Sequence, residues 1–320
     1  MGRNASNHIL RQAKKAKSDE FYTQLCDIER ELQHYDMQFR GKIVYCNCDD
    51  PHISNFVKYF IDNFHKLGLK KLIASCYKES TVDLFHPLSI GNGFYCEYFG
   101  NNKPIEIKAL KGDGDFRSAE CIELMKSADI VVTNPPFSLF REFVAQIIKY
   151  EKSFLIIGNI NAITYKEIFE LIQQDKIWLG VNLGRGISGF IVPENYELYG
   201  TEARVDEHGN RIVSTNNCLW LTNLQLSQRE QYIPLIESYE GNEMNYPKYD
   251  NCDGINVDKT QDIPKDYFGL MGVPITFLHK YNPNQFEIVR FRKGDDGKDL
   301  SIRGKCPYFR ILIRQRRIGV

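Results

Sequence analysis

The sequence predicts an α/β fold built around a mostly parallel β-sheet. Between about residues 40 and 180, short apolar runs alternate with amphipathic stretches, as expected for strands covered by helices on both faces of a sheet. The 320-residue chain is 42% hydrophobic and 26% charged, which is the composition of an ordinary globular protein with a sizeable core. It contains no apolar run of about 18 residues, so we predict no membrane span.

Each predicted element has its own signal. Strands are predicted where short apolar runs are bounded by polar or turn residues. They are residues 43–46, 71–75, 105–110, 129–133, 154–158, 177–180 and 218–222. Apolar residues at helical spacing predict a helix over 54–67 and a second helix that buries Phe140, Phe143, Val144 and Ile147. A third helix is predicted over 164–174, where Thr164 and Glu167 have the spacing of a capping box.

Polar residues follow several of the predicted strands, at the point where each strand ends. They are, in chain order, Asn47, Asp49 and Asp50, then Ser75, then Asp113 and Asp115, and finally the tetrapeptide Asn134 to Phe137. Ligands of open parallel sheets bind beyond the carboxyl ends of the strands. We therefore expect these residues to converge on one crevice.

The tetrapeptide Asn134-Pro135-Pro136-Phe137, directly after the predicted strand 129–133, is the sharpest chemical signal. An exocyclic aromatic amine is a poor nucleophile because its lone pair is delocalised into the ring. The Asn134 side-chain oxygen and the Pro135 carbonyl provide two acceptors for its N–H groups, and the prolines fix the backbone between them. Phe137 provides a ring on which an extruded base can stack. The pattern indicates a site that activates such an amine.

Cysteine and charge patterns limit the compartment and the partners. Nine cysteines without a CxxC pair predict reduced, buried thiols in a cytoplasmic protein, and we predict no metal site. The net charge is zero, yet residues 1–18 carry five basic and no acidic side chains, and residues 290–320 carry ten basic and three acidic ones. Basic ends favour a nucleic-acid partner, with two merely solvated faces as the alternative.

Segments along nearly the whole chain resemble the EcoRI-type family of N6-adenine DNA methyltransferases. They include SDEFYTQLCDIE, VYCNCDDP, LGLKKLIASCY, GDGDFRS, DIVVTNPPFSLF, KIWLGVNLGRGISGFIVPENYELYGTEAR, MGVPITFLHK and GKCPYFRILI. The resemblance implies a Rossmann-like methyltransferase fold, in which one strand near the sheet edge is antiparallel, plus a smaller α+β target-recognition module. It also implies S-adenosylmethionine as the methyl donor, double-stranded DNA as the substrate, GAATTC as the recognition sequence, and functional pairing with a restriction endonuclease without direct contact.

The resemblance also assigns residues to the cofactor. Phe21, Tyr22 and Thr23 match the N-terminal cofactor motif, whose aromatic residue packs beside the methionine portion. The segment from Asn47 to Asp50 replaces the usual Gly-rich loop, and either Asp49 or Asp50 would hold the amino group. Ser75 stands where an acidic ribose ligand is usual. Asp115, with Asp113 as the alternative, would receive the adenine amine, and Asn134 borders the same site.

Two regions are expected to contact DNA. Residues 1–230 are predicted to form the catalytic domain with a Gly-rich insertion at 183–217, and residues 231–320 the target-recognition module. Arg185 and Arg204 in the insertion are candidates for reading guanine. The candidates for phosphate contacts are Lys293, Arg303, Lys305, Arg310, Arg314, Arg316 and Arg317. Strand alternation predicts that Arg310 and Arg314 share one face, opposite Ile311 and Ile313, with Tyr308 and Phe309 packed inside.

Three alternatives remain open from the sequence, one among the methyltransferases and two from other classes of protein. An amino-group methyltransferase acting on RNA or on protein glutamine shares the tetrapeptide. A nuclease is suggested by Glu106-Ile107-Lys108, since E-x-K triplets occur in many restriction nucleases, with Asp83 upstream. A non-catalytic DNA-binding protein would keep the fold and lose the chemistry.

Overall fold

The computed structural model describes residues 22–77, 92–100, 105–183, 187–192, 203–206, 209–214 and 217–317. Phe21, Asp83 and Arg185, which the sequence analysis singles out, lie outside these ranges. The chain forms two compact units: residues 1–162 with 182–224, and residues 163–181 with 225–320. The predicted functional division at residue 230 stays a proposal. None of the helices in the described ranges is both long and apolar enough to traverse a bilayer.

The first unit contains a large sheet, a small sheet and several helices. Its strands are β1 (Tyr22–Thr23), β2 (Ile43–Asn47), β3 (Lys71–Cys76), β4 (Phe94–Tyr98), β5 (Glu106–Ala109), β6 (Ile130–Thr133), β7 (Ser153–Asn159), β9 (Phe190–Val192), β10 (Ala203–Val205), β11 (Arg211–Val213) and β12 (Cys218–Thr222). Its helices are α1 (Leu25–Leu32), α2 (Asn55–Asp62), α3 (Phe64–Leu67), α4 (Ala119–Ser127) and α5 (Phe140–Lys149). Strand β8 (Trp178–Leu183) contains the boundary between the units.

The strand order β5-β4-β3-β2-β6-β7-β12 puts β2 and β6 at the centre of the large sheet. Strands β3, β2, β6 and β7 pair in parallel, which confirms the predicted α/β class. The expectation of one antiparallel strand is wrong, because both β4 and β12 run against their neighbours. Strand β4 was not predicted from the sequence, and only Cys96 and Tyr98 of its five residues are buried.

The predicted helices are present, but they begin or end at residues other than those predicted. The stretch predicted as one helix over 54–67 is two helices, α2 and α3, separated at Asn63. Phe140, Phe143, Val144 and Ile147 form the buried face of α5, as predicted. The capping box at Thr164 is wrong, since α6 (Lys166–Gln173) begins after Tyr165, which makes no side-chain cap.

A small antiparallel sheet of order β1-β9-β11-β10 joins the N-terminal strand to the insertion. Tyr22 pairs with Ile191 and Thr23 with Phe190. The sequence analysis missed this sheet because strands of two or three residues carry almost no periodic signal.

The second unit contains α6 and a sheet of order β13-β14-β16-β15. Its strands are β13 (Gly254–Asn256), β14 (Leu270–Pro274), β15 (Phe286–Phe291) and β16 (Arg310–Gln315). Tyr249, Cys252, Leu300 and Leu312 form a buried cluster of this unit. The Phe169 ring of α6 packs 5.0 Å from the Phe291 ring. Within the described part of residues 225–317 the helical turns are all short 3₁₀ turns.

Candidate active site

The tetrapeptide Asn134 to Phe137 forms a rigid connection between β6 and α5. Every residue of β6 is buried, and Asn134 follows its last residue directly. Pro135 is buried, whereas Pro136 and Phe137 are half-buried. The Leu139 amide donates to the Pro136 carbonyl at 3.0 Å and closes a 3₁₀ turn before the helix begins. The sequence prediction that this tetrapeptide ends a buried strand is confirmed.

Phe140 anchors the far side of this connection. Its ring is 2% exposed and lies over Gly158 of β7, where a Cβ atom would come within 2.6 Å of the ring. A side chain at position 158 would therefore displace the start of α5. This anchor leaves Phe137, three residues earlier, half-buried beside the end of the central strand.

Thr133, which the sequence analysis missed, links the end of β6 to the end of β2. Its hydroxyl oxygen lies within hydrogen-bond distance of the Asn47 carbonyl and 2.6 Å from Asp49 Oδ2. The Ser54 hydroxyl donates to Asp49 Oδ1 at 2.6 Å. Ser54 also accepts hydrogen bonds from the first amides of α2 as its N-cap. One buried chain of polar groups thus connects β6, β2 and α2.

Asp49 accepts a hydrogen bond on each of its carboxyl oxygens. The Ser54 hydroxyl donates to Oδ1, and the Thr133 hydroxyl donates to Oδ2. Burial raises the pKa of Asp49 to about 7, although the bonds from Ser54 and Thr133 act to lower it. Both Asp49 oxygens are therefore engaged within the protein.

The raised pKa of Asp49 makes stability depend on pH. The unfolded carboxyl ionises near 3.8, whereas the folded one keeps its proton up to about pH 7. The stabilisation from this group is therefore complete below about pH 4 and is lost as the pH rises to about 7. Asp49→Asn replaces the protonated carboxyl with a group of the same shape that also donates and accepts. We expect the stability of wild type relative to this variant to fall between pH 4 and 7, as measured by urea unfolding.

The matched control is Asp50→Asn, which removes the adjacent, half-exposed carboxyl and leaves the buried one in place. It should keep the wild-type pH profile. Parallel stability curves for wild type and Asp49→Asn across this pH range would show that Asp49 is ionised in the folded protein.

Two buried polar atoms near this chain have no hydrogen-bond partner among the described residues. They are Asn47 Nδ2 and Thr23 Oγ1. Asn47 Oδ1 accepts from Ser75 at 3.3 Å, and the buried Ser75 hydroxyl lies 2.6 Å from that of Tyr45. Ser75 is therefore part of the sheet interior. The buried Asn47 amide group and Thr23 hydroxyl are instead suited to a polar ligand, because buried polar groups are normally satisfied.

The acidic loop after β5 lies against the end of β3. Gly114 has a φ of +86°, and a Cβ there would lie 2.3 Å from the Cys76 carbonyl, so only glycine allows this approach. Asp115 forms a two-armed ion pair with Arg117 at 2.6 and 2.9 Å, which lowers the pKa of its carboxyl. The Asp113 side chain is exposed. Asp113 is thus more available to a ligand than Asp115, which the sequence analysis preferred.

The small sheet brings the N-terminal motif beside the tetrapeptide. Phe190, opposite Thr23 in the sheet, has its ring 6.1 Å from that of Phe137 at an angle of 66°. Asn55 at the start of α2 donates to the Thr23 carbonyl at 2.8 Å. Three regions distant in sequence therefore meet here: the N-terminal strand, the end of β2 and the tetrapeptide.

Comparison with known proteins agrees with this geometry. The family model described as adenine-specific methyltransferase EcoRI matches residues 9–316. Type II methyltransferase M.EcoRI of Escherichia coli is 64% identical over 324 residues, which cover 99% of each chain. M.MpnI of Mycoplasma pneumoniae and M.MgeORF184P of Mycoplasma genitalium, also type II methyltransferases, are each 39% identical and cover 97% of this chain, and 98% and 100% of their own. No solved structure gives a significant match.

The chain belongs to the EcoRI adenine-specific methyltransferase family. The resemblance noted in the sequence is confirmed, and the protein is a site-specific adenine DNA methyltransferase. The nuclease and the non-catalytic DNA-binding protein are therefore wrong as alternatives. Glu106-Ile107-Lys108, which suggested a nuclease, lies on β5, where Lys108 pairs with Glu97 at 3.8 Å.

The predicted DNA contacts of this methyltransferase differ in whether their side chains interact with other residues of the protein. Arg204 is exposed on β10, at the edge of the small sheet. In the second unit, Arg303 and Lys305 are exposed, and neither side chain has a hydrogen bond or ion pair to the residues described. They flank a tight turn, in which the Asp250 carboxylate accepts from the amides of Arg303 and Gly304 at 3.0 and 2.8 Å. This turn presents its basic side chains to solvent.

The remaining basic candidates have partners within the protein. Lys293 pairs with Asp299 at 2.7 Å, and Arg314 with Glu287 at 3.4 Å. Arg316 donates to the Pro283 carbonyl at 2.8 Å. The guanidinium of Arg317 lies 5.5 Å from the centre of the Phe268 ring. All four carry charge at the surface, where a phosphate would compete with the existing partner.

Arg310 corrects the predicted face of β16. Its side chain is buried, donating to Asn256 at 2.9 Å and to Asp258 at 3.0 Å. Residues 310–313 are all buried, because β16 lies between β14 and β15 and both of its faces are covered. Tyr308, expected inside, is 65% exposed, and Phe309 is also exposed. Alternation assigns residues to faces, and it does not reveal which faces are covered.

Proposed function

We propose that this methyltransferase transfers a methyl group from S-adenosylmethionine to N6 of an adenine that has left the double helix, within GAATTC in double-stranded DNA. The observation that carries the proposal is the placement of Asn134 to Phe137 directly after the central strand β6, beside the polar chain Thr133–Asp49–Ser54. Similarity to M.EcoRI over nearly the whole chain supports the choice of recognition sequence and a role in protecting DNA from a cognate restriction endonuclease.

The tetrapeptide would activate and hold the amine. The Asn134 side-chain oxygen and the Pro135 carbonyl accept its two N–H groups and favour a pyramidal nitrogen, whose lone pair is then free to attack. The turn closed by Leu139 fixes these acceptors before substrate arrives, so little reorganisation accompanies the reaction. Phe137 stacks on the extruded base, which its half-buried ring leaves room to do.

The residues beside the tetrapeptide fit the methyl donor. S-adenosylmethionine supplies an electrophilic methyl group on a sulfonium centre. Asn47 Nδ2 and the Thr23 hydroxyl, which have no partner among the described residues, are donors for its polar atoms. Asp50 is half-exposed and is our choice for its amino group, since Asp49 is engaged with Ser54 and Thr133. Asp113 is our choice for its adenine amine.

The direct test is to incubate purified protein with isotopically labelled S-adenosylmethionine and two plasmids that differ by one GAATTC site, then map the modified base. We expect label in N6-methyladenine at that site, and none in the plasmid without it. An RNA and a protein rich in glutamine, added in parallel, serve as negative controls and should acquire no label. Label at cytosine, or equal label in both plasmids, would overturn the proposal.

The stacking role of Phe137 predicts a ranking of variants. Stacking requires a ring and tolerates its identity, so Phe137→Ala should slow transfer more than Phe137→Tyr or Phe137→Trp. Base–aromatic stacking contributes roughly 1–3 kcal/mol, which corresponds to about 5–150-fold in rate. The measurement is single-turnover methylation of a GAATTC duplex. Equal rates for the Ala and Trp variants would remove the stacking role.

The two basic regions should contribute differently to DNA binding. Arg303 and Lys305 should contact phosphates, whereas Arg204 should read bases. Arg303→Gln and Lys305→Gln should weaken binding to all duplexes, and the slope of log affinity against log salt should fall by roughly one per lost contact. Arg204→Gln should instead change the ratio of affinities for the GAATTC duplex and a one-base mismatch. Titrations of both duplexes at several salt concentrations decide the matter. The prediction is contradicted if the Arg303 and Lys305 variants change the ratio of cognate to mismatch affinity and the Arg204 variant does not.

A further inference from the structure

The segment that carries Phe190 is pinned to the first helix by polar contacts. Gln24 Nε2 donates to the Ser188 hydroxyl at 2.7 Å and to the Gly189 carbonyl at 2.9 Å. The Asp27 carboxylate accepts from the Ser188 amide at 2.8 Å and from its hydroxyl at 2.9 Å. The Ser188 hydroxyl therefore accepts from Gln24 and donates to Asp27, and each polar atom has its partner. These residues lie more than 160 positions apart in the chain.

The buried Asp27 side chain binds the segment that precedes Phe190 through Ser188. The carboxylate is fully buried, and burial raises its pKa although Ser188 donates two hydrogen bonds to it. Nearby, Glu31, also fully buried, accepts from the Asn182 amide at 2.9 Å and from its side chain at 2.8 Å. Placing two acidic side chains in the interior costs free energy. The hydrogen bonds from Asn182 to Glu31 and from Ser188 to Asp27 compensate for that cost. They hold the end of β8 and the residues just before β9.

The backbone on either side of Phe190 is equally constrained. Gly189 has a φ of +144°, and a Cβ atom there would lie 2.8 Å from the Val213 carbonyl. Phe190 pairs with Thr23 on one side and Val213 on the other. Its side chain is only 3% exposed. The buried ring packs against the ring of Phe137.

We infer that Phe190, held in place by Gln24, Asp27 and Ser188, is a positioning residue that sets the ring of Phe137 for stacking on the target adenine. This inference rests on the stacking role of Phe137 proposed above. Phe190 is too buried to contact DNA, so it acts through Phe137. The edge-to-face arrangement, with centroids 6.1 Å apart, is a favourable aromatic geometry that an aliphatic side chain cannot reproduce.

The test is a double-mutant cycle with Phe137→Leu, Phe190→Leu and the combined variant. Single-turnover methylation is measured with a GAATTC duplex, and base extrusion with a duplex carrying 2-aminopurine at the target adenine. We expect Phe190→Leu to slow methylation roughly 3–10-fold and to lower the fluorescence of the extruded base, with unchanged duplex affinity. In the Phe137→Leu background, Phe190→Leu should cause no further loss.

The matched control is Phe64→Leu, which removes a buried ring that packs on Tyr98 in the same unit. It should leave the extrusion signal unchanged. Ser188→Ala provides a second variant that keeps the aromatic core intact, and it should cause a smaller loss that also disappears when Phe137 is leucine. Rate losses that multiply in the combined variant, or a Phe190→Leu effect no larger than that of Phe64→Leu, would overturn the inference. Failure of the proposed function would look different, because wild type itself would then form no N6-methyladenine.

Discussion

Asn134→Ala is expected to lower methyl transfer by about 10²-fold or more, by analogy with the loss of one preorganised oxyanion-hole donor. The Asn134 side-chain oxygen is one of the two proposed acceptors for the target amine, and alanine removes it without disturbing the prolines that follow. Affinity for S-adenosylmethionine should stay largely intact, because the proposed contact is to the base. Single-turnover methylation gives the rate, and equilibrium titration of the donor gives the affinity.

Asn134→Asp is the informative companion to this variant. A carboxylate also accepts hydrogen bonds from the amine, so the loss should be smaller than for alanine. Turnover of Asn134→Ala near the wild-type rate would contradict the assigned role of this side chain. A rate loss explained entirely by weaker donor binding would move Asn134 from the target base to the cofactor.

Thr133→Val is expected to reduce the free energy of unfolding by about 2–6 kcal/mol, at roughly 1–3 kcal/mol for each of two buried polar groups that lose a partner. Valine has nearly the shape of threonine and lacks the hydroxyl. It would deprive both the Asn47 carbonyl and the Asp49 carboxyl of the Thr133 hydroxyl in a fully buried strand end. Urea unfolding monitored by circular dichroism measures the change.

Thr133→Ser serves as the control for this effect. Serine keeps the hydroxyl and loses one methyl group, so it should cost only about 1 kcal/mol. Methylation by Thr133→Val should also slow, since Asn134 follows directly and its position depends on the end of β6. A valine variant as stable as wild type would mean that the hydroxyl does not connect β6 with β2.

Local pattern was sufficient for the parallel strands of the large sheet and for the position of the tetrapeptide Asn134 to Phe137. The runs 43–46, 71–75, 129–133 and 154–158 each contain at least three consecutive apolar residues, as expected for strands covered on both faces. Asn134 to Phe137 stands directly after one of them, and each residue type has a chemical role in activating an amine. The side chains at the strand ends could therefore be named before their distances were known.

The choice among the candidate cofactor ligands depended on tertiary contacts. Asp49 and Asp50 are adjacent and chemically equal in sequence. Thr133, 84 residues from Asp49, engages one of them within the protein and leaves the other half-exposed. In the same way, Arg117 engages Asp115, while the Asp113 side chain stays exposed.

The fold class, the family and the Asn134 to Phe137 tetrapeptide follow from residues that are contiguous or periodic along the chain, so they are legible without a structure. Three other features depend on tertiary contacts: Asp49 is buried and accepts hydrogen bonds from Thr133 and Ser54, Phe190 packs on Phe137, and Arg310 is enclosed within its sheet. These outcomes depend on which strands become neighbours and which faces are covered. Such pairings join residues far apart in the chain, and no local period records them.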